Sequence, residues 1–307
     1  MTDIPASAGA GPAAAEAPVR RGGRARRWRL AAWLIGRSFA SVLGLVLVAG
    51  IVGLALLGPW IVPYPEHVVG QVNLADKLKP PSAANWFGTD EVGNDILTRI
   101  IVGARLSLLV GVGITFAAAA IGVPLGILAG TAGGRLRETI MRFTDLFLSV
   151  PGLVLAIALV AALGPGIGNA MIALVLVWWP GYVRLAESKA LAIREEPYIE
   201  AARVCGASRF RILWRHVLPN AISPLIVKMS MDIGQAILAV ASLGFIGLGA
   251  KPPTPEWGAM ISIARGYLPD YWWYAVFPGL FIYLSVLGFN LLGDGLRDIL
   301  DPRSHRT

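Results

Sequence analysis

Among the residues able to carry chemistry, none stands in a constellation that would make or break a covalent bond. The chain has no GxxxxGK[ST] phosphate loop, no HExxH helix and no GxSxG nucleophile turn. Cys205 is the single cysteine, which excludes an internal disulfide and a cysteine-built zinc site. Beside Gly206, it reads as a small packing residue rather than a reactive thiol. His216 is a lone histidine without metal-ligand partners and reads as a structural or interface residue. Gly88, Gly93 and the acidic trio Asp90, Glu91 and Asp95 suggest a calcium loop, but the ligand spacing of an EF-hand is absent. One carboxylate is unusual for its setting. Asp232 lies inside a long apolar run, where a charge is costly unless it meets a partner or a wet cavity. A hydrogen-bonding role and a place along a permeation route both stand. Trp178 and Trp179 also lie within an apolar run, where they face a partner helix or a translocation path, with core packing as the default.

The elements that hold these residues are set by composition. A 307-residue chain that is 55% hydrophobic and 15% charged, with a mean hydropathy of +0.64, is an integral membrane chain rather than a soluble globule. Its net charge of +8 reflects topology rather than nucleic-acid binding. Residues 1–38 open with an Ala/Pro/Gly stretch too poor to build a core, followed by a run of arginines, and are expected to be a disordered basic cytoplasmic N-terminus. The apolar segment at 39–62 is too long for a signal core and long enough to span a bilayer, so it reads as an uncleaved first transmembrane helix. A polar extracytoplasmic segment follows at 63–104. Within 105–295 further spans are expected near 106–130, 143–163 (interrupted at Pro151-Gly152), 169–185, 223–249 and 273–292. A cytoplasmic loop occupies 186–222, and 296–307 forms a cytoplasmic tail. Gly122, Gly126, Gly130 and Gly134 recur every four residues and read as a helix-packing seam.

Lysine and arginine fix the orientation. With the N-terminus inside, the cytoplasmic side collects the N-terminal arginines, Arg135, Arg137 and Arg142, the loop residues Arg184, Lys189, Arg194, Arg203, Arg209, Arg211 and Arg215, and Arg297, Arg303 and Arg306. The outer side holds Lys77, Lys79, Arg99, Arg105, Lys251 and Arg265. That excess follows the positive-inside rule and places both termini and the long loop in the cytoplasm.

The loop itself has internal punctuation. In PYIEAARVCGASRFRILWRHVLPN, Glu200, Ala201 and Ala202 read as helix, and Gly206 suits the positive φ of a turn or C-cap. Ser208 is expected to cap a second short helix through Phe210, Ile212, Leu213 and Val217, which Leu218-Pro219 then stops. The result is a helix–turn–helix outside the bilayer, joined to a membrane helix on each side.

This pattern of Glu-Ala-Ala, Gly four residues on, then Leu-Pro resembles the cytoplasmic coupling loop of ABC importer permeases. A second block, GTDxxGxD…R…GAR.SL, sharpens the resemblance. It comprises Gly88, Thr89, Asp90, Gly93, Asp95, Arg99, Gly103, Ala104, Arg105, Ser107 and Leu108, and it looks like the dipeptide/oligopeptide (peptide/nickel) subfamily, C-type subunit. The terminal GDGLRDILDPR, from Gly293 to Arg303, is also similar to that subfamily. Asn94 departs from the arginine that family members commonly carry after the second glycine. Three blocks in the family's order cover about residues 39–303.

The resemblance implies an all-α integral membrane fold of the type I importer permease class, with six transmembrane helices and a cytoplasmic coupling helix. It implies a multi-pass protein of the bacterial cytoplasmic (inner) membrane that binds no cofactor itself, ATP and magnesium being held by partner ATPases. The implied partners are a homologous second permease, two ABC ATPases and an extracytoplasmic substrate-binding protein, with no nucleic acid. Glu200, Ala201, Ala202, Gly206, Ala207, Ser208, Arg209, Phe210, Ile212, His216, Leu218 and Pro219 become the ATPase-docking residues. In their own right, Glu200 reads as an anchor through charge-assisted bonds or as a solvated charge, and the arginines as partners for acidic groups or anionic lipid. Similar permeases serve dipeptides, longer peptides, nickel chelates, glutathione and some sugar derivatives, so the motifs leave the cargo open. The rival classes are an ion-gradient-driven secondary transporter, a membrane scaffold and a DNA-binding helix–turn–helix. The shortage of paired intramembrane acids weighs against the first. The membrane spans flanking 197–220 exclude the last.

Overall fold

A computed structural model describes residues 38–69 and 71–300, without the side chains of Val69 and Arg209. The basic N-terminal segment and the tail from 301 lie outside the described residues. Ten α-helices carry the fold among those described: α1 (Phe39–Ile61), α2 (Ile96–Ala132), α3 (Gly134–Leu148), α4 (Gly152–Leu163), α5 (Ile167–Arg194), α6 (Pro197–Val204), α7 (Arg209–Ile212), α8 (Leu218–Phe245), α9 (Trp257–Ala264) and α10 (Trp272–Leu300). The described residues contain no strand, only an isolated bridge between Thr89 and Asp95. Five helical stretches are long and apolar enough to cross a membrane, or six if α3 and α4 together make one broken span.

The segment between α1 and α2 is tied to one end of the bundle rather than hanging free. The Asp95 carboxylate accepts from the Thr98 amide (2.8 Å) and starts α2 ten residues earlier than hydropathy suggests. The same residue's amide donates to His67 Nδ1 (3.0 Å), and Asn85 donates to its other carboxylate oxygen. Arg99, expected in a loop, is instead buried in the first turn of α2. It faces Asp90 at 3.5 Å and donates to the Pro253 carbonyl at 3.1 Å, so its charge is satisfied inside the protein. Burial pushes the Asp90 carboxyl up, opposed by the Asn94 and Val92 amides and by Arg99. Asn94 hydrogen-bonds this carboxylate and lies fully buried where the family commonly has arginine. The GTDxxGxD block is therefore a cap and a brace for α2, and no cluster of three or more metal-ligating side chains occurs among the described residues.

Two apolar clusters hold the helices together. One joins α1, α2, α8, α9 and α10 through Ile51, Ile96, Ile100, Ile237, Trp257 and Tyr274. The other joins α2, α4, α5 and α8 through Val110, Ile114, Val160, Leu174 and Val240. The glycine seam is real where α2 meets α5. A Cβ on Gly122 or Gly126 would lie 2.4 or 2.3 Å from the backbone carbonyl oxygen of Trp179 or Val183. Gly130 continues the seam, but Gly134 does not; it lies in α3 past the end of α2, with open space around it.

The third expected span is the largest departure. The 143–163 stretch divides into α3 and α4, which meet at an angle of 83° around Pro151. Helix α3 bears Arg135, Arg137, Glu138, Arg142 and Asp145, too many charges for hydrocarbon, and is fastened to α5 by Arg137–Glu187 (2.7 Å) and Arg184–Asp145. Helix α4 has 12 residues, about 18 Å at helical rise against a hydrocarbon core of about 30 Å. Outside these elements, the loop expected at 250–272 contains α9, largely buried and capped by Glu256, whose carboxylate accepts from the Gly258 and Ala259 amides at 2.9 and 2.8 Å. Burial pushes the Glu256 carboxyl up despite those two bonds. Helix α10 runs to Leu300, so residues 296–300 complete its last turns.

Candidate functional site

The segment linking α5 to α8 is built as a rigid platform. Pro197 occupies the first turn of α6, where its missing amide costs nothing, and Glu200 places a negative charge near the helix N-terminus. The C-terminus of α6 closes in a Schellman turn. The Ala207 amide donates to the Ala202 carbonyl (3.0 Å) and the Gly206 amide to the Arg203 carbonyl (2.9 Å), with Gly206 at φ +79°. Ser208 then caps α7 as expected, its Oγ accepting from the Arg211 amide at 3.3 Å.

Leu218-Pro219 does not end the second helix. Residues Leu213–Val217 form a π turn, with the Leu218 amide donating to the Leu213 carbonyl five residues back. Widening the turn resets the register so that Pro219 falls in the first turn of α8, where no donor is required. The chain is helical from Phe210 to Phe245, a single 36-residue stretch. The second half of the platform and the membrane helix are therefore one continuous helix.

One face of the platform is buried and the other bare. Ile199, Ile212 and Val217 pack with Ile127 of α2 and Ala186 and Ala190 of α5. A cleft of about 320 Å³ behind them is lined by Thr131, Arg194, Ile199, Arg203 and Ala207. Outward, Val204 is 84%, Phe210 70% and Trp214 56% exposed, the last two with ring centroids 5.9 Å apart. His216 is half-buried with its ring 5.9 Å from that of Tyr198, and Asn220 links the Tyr198 hydroxyl to the His216 carbonyl. Burial pushes the Tyr198 phenol up, with the Glu196 charge adding to it. Ala201, Ser208 and Pro219 are exposed, and Ala202, Ala207 and Leu218 are partly covered. Glu200 is exposed and makes no ion pair among the described residues. The Arg209 side chain lies outside the description.

The membrane charge is not alone either. Asp232 lies midway along α8, and Lys228, one turn earlier, donates to it at 2.9 and 3.2 Å. The Lys228 ammonium also sits 5.0 Å from the centre of the Tyr182 ring on α5. Hydropathy alone hides this lysine, because the loop charge asymmetry does not involve it. The i,i+4 spacing from Lys228 to Asp232 was the available signal. Trp179 is 5% exposed and packs on Phe143 and Phe147 of α3 at centroid distances of 5.9 and 5.3 Å, the default packing role. Trp178 is partly buried against the clusters around α4 and Tyr182.

Comparison with known proteins agrees with this architecture. Residues 122–306 match the model of the binding-protein-dependent transport system inner membrane component, and residues 27–81 that of the N-terminal transmembrane domain of oligopeptide transport permease C. The chain is 47% identical to the probable D,D-dipeptide transport system permease protein DdpC of Escherichia coli K12, over 89% of this chain and 90% of that one. It is 43% identical to the dipeptide transport system permease protein DppC of Alkalihalophilus pseudofirmus, over 90% of each. A 46% identity to the glutathione transport system permease protein GsiD of Escherichia coli O157:H7 covers 81% of this chain and 82% of the relative. In structure it is similar to the MetNI methionine ABC transporter in an inward-facing conformation. That match has a TM-score of 0.55 and 21% identity, and covers 67% of this chain and 98% of that one. The chain thus belongs to the binding-protein-dependent ABC importer permeases, in their type I fold, as a C-type membrane subunit of the peptide-transport branch.

Proposed function

We propose that this chain is the permease through which an ATP-driven importer of the inner membrane moves di- and oligopeptides into the cytoplasm. Relatives named for D,D-dipeptides, dipeptides and glutathione support a peptide-like cargo. The observation that carries the reading is the two-faced platform. Its inner face packs on α2 and α5, while Val204, Phe210 and Trp214 are exposed on a doubly capped frame. An apolar surface of this kind calls for a protein partner. In this reading the partner is an ABC ATPase, and a second ATPase docks on a homologous permease. ATP binding closes the ATPase pair, both platforms move, and the continuous helix from Phe210 to Phe245 carries the motion into the membrane. The permeases then expose a shared cavity to each side in turn, with an extracytoplasmic binding protein delivering cargo at the outer mouth. This chain holds no nucleotide; hydrolysis takes place on the partners. In this reading both termini and the platform lie in the cytoplasm, which the arginine excess supports.

The test is uptake by the reconstituted complex in sealed proteoliposomes. Peptide accumulation that requires ATP on the platform side and survives an uncoupler supports the reading. Accumulation that ignores ATP and collapses with the uncoupler contradicts it and favours a gradient-driven carrier.

A further inference from the structure

On α8, Pro224, Lys228, Asp232, Gln235 and Ser242 fall along one face at helical spacing, and none is fully buried in this chain. Asp232 lies nine residues inside the span expected at 223–249, about 14 Å along the axis at helical rise and close to half the hydrocarbon thickness of about 15 Å. Lys228, one turn earlier, is paired to it and so reaches inward rather than to the interface. Its side chain is nevertheless 32% exposed, while that of Asp232 is 15% exposed. An ammonium so placed cannot face lipid tails, so this face of α8 looks onto water or onto polar surface. The structure around it is asymmetric. Asp232 is the deeper partner, with both its oxygens in contact with Lys228. The Tyr182 hydroxyl lies fully buried beside Asp232. An ammonium has three donors, and Asp232 leaves the exposed side of Lys228 with capacity to spare.

We propose that Lys228 is the transient counter-ion for the carboxylate of a peptide in transit, and that Asp232 is the positioning residue that keeps it aimed. The inference rests on the peptide-import reading above. An unblocked peptide carries a C-terminal carboxylate whose pKa is about 3.3–3.7, so it crosses as an anion at that end. Meeting it with a lysine already paired to Asp232 makes the contact exchangeable, which passage requires; a site that held the carboxylate tightly would trap it.

The experiment uses the full complex in proteoliposomes with saturating binding protein. A defined mixture of unblocked di- and tripeptides is supplied, and lumenal peptide is quantified by mass spectrometry. Lys228→Met is expected to lower ATP-driven uptake about 10-fold, the scale of one charge-assisted bond. Lys228→Arg keeps charge and reach and stays within about threefold of the parent. Asp232→Asn also lowers uptake, and Asp232→Glu restores most of it. The decisive variant is the exchange Lys228→Asp with Asp232→Lys, which preserves an ion pair but turns an acid toward the open side. Uptake that stays low in a complex of normal size supports the proposal. Recovery to within about twofold of the parent, the outcome for a purely structural pair, overturns it. Parent-level uptake by Lys228→Met overturns it as well. A parent complex that accumulates no peptide from the mixture sinks the import reading itself, a different failure from either.

Discussion

Gly206 adopts φ +79°, and a Cβ there would meet no atom within 4 Å. A side chain at this position is opposed by the backbone rather than by its neighbours, at a cost of about 1–2 kcal/mol for a residue forced into the left-handed region. Gly206→Arg and Gly206→Val are therefore expected to insert normally but to lose most ATP-driven uptake as the Schellman turn opens and the platform tilts. Gly206→Asn, which tolerates that conformation, should retain much more. Equal loss in the asparagine and valine variants would show that the turn is not what matters. Phe210 and Trp214 act by surface alone. Fully burying such an aromatic contributes about 1.5–3 kcal/mol, so truncating either to Ala should weaken ATPase retention in a detergent pull-down about 10-fold or more while leaving the chain's own melting temperature within a few degrees.

At the scale of elements, the α2–α5 seam and the α6–α8 platform are built differently. Helices α2 and α5 approach so closely at Gly126 that a side chain would overlap the Val183 carbonyl oxygen. Gly126→Leu should force them apart and cost several kcal/mol, seen as lost yield and a lower melting temperature of the purified chain; an unchanged melting temperature would contradict the seam. Much of this was legible in the sequence. Ser208, Gly206 and the Gly122–Gly126–Gly130 spacing each carry a local rule that tertiary packing then obeyed. What was not legible has physical reasons. Pro219 breaks a helix only if the register is kept, and the π turn at Leu213–Val217 changes the register. Arg99 reads as a loop residue because hydropathy counts its charge, whereas Asp90 and the Pro253 carbonyl satisfy that charge inside a helix. Helix α9 hides in a polar window because its flanks, rather than its core of Trp257, Ala259 and Met260, set the average. The partner of Asp232 is invisible to any count of loop charges.

At the scale of the whole molecule, this chain is incomplete by its own surfaces. The platform leaves Phe210 and Trp214 bare, and a partly exposed ion pair, Lys228–Asp232, stands at mid-helix on α8. The bent pair α3–α4 adds a short apolar helix below the length of a bilayer. In the proposed assembly the first meets an ATPase, and the others meet a second permease and a shared aqueous cavity. The central claim is that this permease works as one part of an ATP-driven assembly. It is tested most directly by a gentle detergent pull-down of the chain from its native membrane, with partners identified by mass. The account predicts recovery of two ATPases and a second, homologous permease, lost together when Phe210 and Trp214 are truncated. An intact, folded chain that comes out with no ATPase would contradict it.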